Sequence, residues 1–131
     1  MSGLLSQLGN GRLTLRIIIM GSYIARQPNG LYCRFSTVVD TVTHWNMTET
    51  DYINFYKERN GTFSEEEARN ILKNRLQPFE RIKNEFIPGN DSVEEFEEML
   101  RSMGDTGGFN EEQRKRLREW QEDVDRECER K

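Results

Sequence analysis

His44 is the only histidine in the chain, and beside Trp45 it could act as a general base if a nucleophile or carboxylate stood within reach. No serine or cysteine is placed by a motif to serve it, so a structural role at the end of a strand is the stronger reading. The runs Glu65-Glu66-Glu67, Glu94-Glu95, Glu97-Glu98 and Glu111-Glu112 could supply a hydrolase carboxylate pair or a calcium loop. Each falls instead in the first or second turn of a predicted helix, where negative charge meets the positive end of the macrodipole. No Asp/Asn ladder has the spacing of an EF-hand. Neither Gly9-Asn10-Gly11 nor Gly104 to Gly108 has a phosphate-loop spacing followed by Lys and Ser or Thr. Cys33 and Cys128 show no zinc or redox spacing and read as free thiols in a reducing compartment. The expectation is no enzyme, no metal and no cofactor.

Two constellations carry binding chemistry. Arg12, Arg16, Arg26, Arg34 and Tyr32 all fall at even positions, on one side of a predicted hairpin, and cations beside an aromatic are what RNA-binding sheets present. The bland reading is a half-exposed sheet face whose arginines meet acidic helices. Leu117, Trp120 and Val124 form a sparse apolar stripe on a charged C-terminal helix. Such a stripe suits a protein-contact anchor or a helix docked on its own domain.

The elements that must position these residues follow from periodicity. Leu13, Leu15, Ile17, Ile19, Gly21 and Tyr23 alternate with polar positions, a strand pattern. Gln27-Pro28-Asn29-Gly30 predicts a hairpin with Pro28, Asn29 and Gly30 in a three-residue loop, so that Gln27 faces Leu31. That register puts Tyr23, Leu31, Cys33, Phe35 and Val39 on one apolar face. Ile18, Met20, Ile24, Val38 and Val42 then lie at the centre of the arginine face. Thr48 with Glu49 and Asp51 starts a helix over Tyr52, Ile53, Phe55 and Tyr56 that Asn60-Gly61 ends, with a further strand over Tyr52 to Tyr56 as the alternative. Ser64 with Glu67 and Ser92 with Glu95 read as capping boxes, and Asn110 with Gln113 as a third cap. Pro78 should kink or divide the helical segment from Ser64 to Phe86. That segment is the one expected to cover the apolar hairpin face.

At 131 residues the chain fits one domain. The expected division is a lead-in over 1–11, a β-hairpin over 12–45, a helical part over 46–109 and an amphipathic helix over 110–131. Residues 1–45 hold four arginines against Asp40, a net of +3, which leaves −7 for the remainder, so any nucleic-acid surface belongs to the hairpin. An apolar content of 34% beside 32% charged residues is lean and suits an apolar surface completed by a partner, a second copy included. Arg12 and Arg16 interrupt any signal-peptide pattern, and Ile17 to Met20 is too short for a bilayer. The expectation is therefore a soluble intracellular protein, cytoplasmic or nuclear. The sequons at Asn46, Asn60 and Asn90 coincide with turns and caps that need those residues anyway.

The stretch Arg12-Leu13-Thr14-Leu15, the turn Pro28-Asn29-Gly30, and Glu65-Glu66-Glu67 leading to Ile71-Leu72 together resemble the effector domain of influenza nonstructural protein 1, especially its type B form. The likeness continues through Met99-Leu100 and from Gly104 to Phe109-Asn110-Glu111-Glu112. It implies a viral accessory protein with a sheet wrapped around a long helix, without enzymatic activity. Such a protein binds host factors, and in some cases RNA, to blunt innate immunity. The helical double-stranded-RNA-binding domain that precedes it in that family has no counterpart here, which leaves any RNA role to the hairpin arginines. No binding residue of the family carries over individually.

These readings predict an α+β fold, an antiparallel hairpin or small meander packed on a long capped helix with peripheral helices. The expected function is a protein-interaction module that binds a host protein or itself, through Leu117, Trp120 and Val124. RNA binding through Arg12, Arg16, Arg26, Tyr32 and Arg34 is the alternative.

Overall fold

The computed structural model describes residues 21–129, so the strand pattern before Gly21, with Arg12 and Arg16, lies outside the described residues. Three antiparallel strands, β1 (Ser22–Arg26), β2 (Tyr32–Ser36) and β3 (Thr41–Met47), pair in chain order. The hairpin has the register that the turn residues dictate: Tyr23 faces Phe35 and Arg26 faces Tyr32. Gln27 N–H donates to Leu31 O at 2.7 Å, Gly30 N–H donates to Gln27 O at 2.9 Å, and Gly30 takes the positive φ of 90° that only glycine adopts without strain.

The second pairing is irregular. Tyr32 faces Met47, Arg34 faces His44 and Phe35 faces Val42, so β3 carries an extra residue at each of two irregularities. This corrects the expected face of Val42, which changes sides and joins Phe35. Val38 and Val39 are not strand residues at all. They sit in the turn before β3, where Val38 is 78% exposed.

Five helices follow: α1 (Glu49–Asn60), α2 (Glu65–Asn74), α3 (Phe79–Glu85), α4 (Val93–Ser102) and α5 (Glu111–Glu129). The fold class is α+β, as the pattern predicts. Thr48 and Asp51 cap α1 reciprocally at 3.0 Å, which makes Tyr52 to Tyr56 helical rather than a further strand. Ser92 with Glu95 and Asn110 with Gln113 do the same for α4 and α5. The expected Ser64 box does not form. A 3₁₀ turn at Thr62–Ser64 turns the Ser64 hydroxyl back to Gly61 O at 2.6 Å, and Glu67 accepts from the Tyr56 hydroxyl instead. Pro78 divides the segment outright into α2 and α3, since it lacks an N–H and holds the preceding residue extended. Gln77, just before it, pairs with β1 by donating to Ile24 O at 2.8 Å.

Helices cover both sheet faces. Tyr23, Ala25, Cys33, Phe35 and Val42 pack with Ile82, Phe86, Phe96, Leu100, Met103, Phe109 and Leu117 from α3 through α5. Ile24 and Met47 pack with Tyr52, Ile53, Ala68 and Leu72 from α1 and α2. The expected pairing of helix to face is therefore reversed for α2: the helix after Ser64 covers the arginine side, and α3 to α5 cover the other. The buried Gln27 side chain joins the layers. Its carbonyl accepts from Asn46 N–H at 2.6 Å, its amide donates to Asn29 and Asn46, and Asn46 reaches Ser102 O.

Candidate functional site

The described arginines of the hairpin do not form an open basic face. Beneath them, Ile24, Met47 and the half-buried Tyr32 are packed against α1 and α2, so bases find no free sheet to stack on. Arg26 is exposed and lies over the Tyr32 ring at 5.7 Å. Arg34 is half-buried and turns away from both, donating to Thr43 Oγ1 at 2.8 Å.

What replaces the face is a cluster around one ring. Phe55 and Arg59 stand one turn apart on α1, which brings the Arg59 guanidinium over Phe55 at 4.5 Å. The cross-strand pair Arg34 and His44 meets the same ring, the guanidinium at 5.8 Å and the imidazole at 4.5 Å between centroids. Thr43 Oγ1 lies 3.0 Å from His44 Nδ1 and so links the two. Three elements thus deliver two guanidiniums and an imidazole to one spot. Among the described residues, no carboxylate forms an ion pair with Arg34 or Arg59. Burial, then Arg34 and Arg59, hold His44 below its ordinary 6.5, so it is neutral at pH 7. Arg34 is pushed down by burial and then by Arg59. This corner therefore gathers two guanidiniums without carboxylate ion pairs, among the described residues, on an acidic chain.

His44 has Thr43 Oγ1 at 3.0 Å from Nδ1, and its charged neighbours here are cations. Cys33 is fully buried and its thiol is pushed up to about 12 by burial, whereas Cys128 is exposed. Among the described residues no group of His, Cys, Asp and Glu is placed to hold a metal, and no helix is long and apolar enough to cross a membrane. The acidic run at Glu65 serves local structure, pairing with Lys57 and Arg69.

The C-terminal stripe is only partly available. Leu117 is 6% exposed and belongs to the core, while Trp120 and Val124 are half-buried. The expected alternative of a helix docked on its own domain is what α5 adopts at Leu117, and polar groups do much of the work. Gln113 is buried and donates to Glu80 and Asn84, and Arg116 donates to Phe86 O at 2.7 Å, closing the end of α3. An apolar periodicity does not register such contacts.

Sequence reasoning also passed over Phe63. It is fully exposed on the turn between α1 and α2, beside a depression of about 650 Å³ lined by Asn60, Ser64, Glu66, Glu67 and Asn70. The turn is held by Gly61 N–H to Lys57 O at 2.8 Å, the Ser64 hydroxyl and the Lys57–Glu65 ion pair. The available signal was a phenylalanine with no helical or strand partner in the pattern. No family model, curated protein or solved structure matches this chain.

Proposed function

We propose that this protein is a non-enzymatic protein-interaction module, with Phe63 as its contact residue. One observation carries the reading: a phenylalanine fully open to water on a turn fixed from both sides. Leaving that ring exposed forgoes about 2 kcal/mol of burial, and a partner surface recovers it. Glu66 and Glu67 beside it favour a partner with a basic rim. Trp45, 42% exposed, is a second aromatic that the fold leaves partly open. The setting we propose, an intracellular viral accessory protein that binds host factors against innate immunity, is supported by the sequence resemblance alone.

The test compares wild type with Phe63→Asp. Sedimentation of the purified chain reads self-association, and affinity capture from the native host cell reads other partners. A stoichiometric complex lost in Phe63→Asp, with unchanged thermal stability, supports the reading. A wild-type monomer with no stoichiometric partner, or a complex indifferent to the substitution, overturns it.

A further inference from the structure

We infer that Arg34, His44 and Arg59, gathered around the Phe55 ring, form a site for the phosphate monoester of a phosphorylated protein partner. This rests on the interaction-module reading and names the chemistry by which such a partner is recognised.

Convergence is the first ground. Both guanidiniums lie within 6 Å of one ring centroid, at 5.8 and 4.5 Å, and they come from β2 and α1. The second ground is the lack of compensation. Among the described residues Arg34 and Arg59, like Arg26, Arg75, Arg101, Arg116 and Arg118, form no carboxylate ion pair, and of these only Arg34 and Arg59 share one ring. Third, Arg34 is oriented in advance. Thr43 accepts one of its N–H groups at 2.8 Å and leaves others for a ligand, as a fork-shaped donor requires for a tetrahedral oxyanion.

A phosphorylated side chain fits better than a polynucleotide. Nucleic-acid backbones call for cations in a row with open aromatic platforms, but here two guanidiniums and an imidazole are drawn to the single Phe55 ring. The groups facing His44 are Arg34 from β2, Thr43 on its own strand, and Phe55 and Arg59 from α1. A bound dianion offsets the two guanidiniums and so raises the pKa of His44 from its depressed free-protein position.

Peptide pools fixed at phosphoserine, phosphothreonine or phosphotyrosine, each with its unphosphorylated twin, are titrated against the full chain by fluorescence anisotropy, with octauridylate as the nucleic-acid arm. One phosphorylated pool should bind at least about tenfold tighter than its twin. Arg59→Gln, at an exposed position, should lower that affinity about tenfold to a hundredfold, with Arg59→Lys between. Equal binding of every pool and its twin overturns the site, as does a folded Arg59→Gln that binds like wild type. Octauridylate bound more tightly than any pool, and lost in the same variant, also overturns it. If Phe63→Asp abolishes capture of a partner that Arg59→Gln and phosphatase treatment leave in place, the phosphate site falls and the interaction reading stands.

Discussion

The two faces of the sheet bury their residues on different terms. On one, Phe86, Phe96 and Phe109 from the helical half stack in parallel, with Phe86 and Phe96 centroids 3.9 Å apart, beneath a Tyr23–Phe35 pair at 5.2 Å. Charge enters that side as Lys83 paired with Asp105 at 2.9 Å, as Arg81 paired with Glu85 over the Tyr23 ring, and as the half-buried Arg116 held by Phe86 O. On the other, Ile24 and Met47 make a smaller cluster whose border is Arg34, His44 and the half-buried Phe55. The first face is committed to stability. The second keeps the half-buried Arg34 and the exposed Arg59 against the Phe55 ring, and among the described residues neither has a carboxylate ion pair.

Phe96→Ala should break the first face most severely. Phe96 has no exposed surface, so the cavity should lower stability by about 3–5 kcal/mol, read by urea denaturation. Asp105→Ala should follow at about 3 kcal/mol, because it strands the buried Lys83 ammonium without its close partner. At the junction of hairpin and α4, Gly104→Ala should cost about 2 kcal/mol. Gly104 has φ +97°, and an added Cβ would stand 2.9 Å from Asn29 N, against which the end of α4 rests.

The second face should respond in protonation more than in stability. Arg59→Gln should change stability by no more than about 0.5 kcal/mol. It should raise the His44 pKa towards 6.5, by removing one of the two nearby guanidiniums, as NMR titration of the ring would show. Because the folded-state pKa of His44 is depressed, its contribution to stability is full above about pH 6.5 and is lost as pH falls through the lower folded value. Urea melts across pH 5 to 8 should show that loss in wild type and a smaller one in Arg59→Gln. An unchanged His44 titration in the variant would show that the cluster does not act as one electrostatic unit.

Much of the fold was legible because it is encoded within a few residues. The Pro28-Asn29-Gly30 loop and its register, and the caps at Thr48, Ser92 and Asn110, depend on φ preferences and on side chains that reach three residues along the chain. The Ser64 box was misread for a reason of the same scale: a 3₁₀ turn and the Tyr56 hydroxyl competed for the groups that would have closed it. The candidate site was less accessible. Arg34 was noted, but Arg59 could be connected with it only through Phe55, and Leu117 looked like an anchor because its neighbours on the core side are remote in sequence.

By itself, then, the sequence determined the α+β class, the hairpin and its register, the caps at Thr48, Ser92 and Asn110 and the concentration of positive charge in the first part of an acidic chain. Tertiary structure decided which helices cover which face, the bulge that moves Val42 to the other side, and the meeting of Arg34, His44 and Arg59 at one ring. The physical reason is range. Caps and turns are satisfied by hydrogen bonds between near neighbours, whereas burial is non-directional and accepts any apolar face that fits, so its outcome depends on all the elements at once.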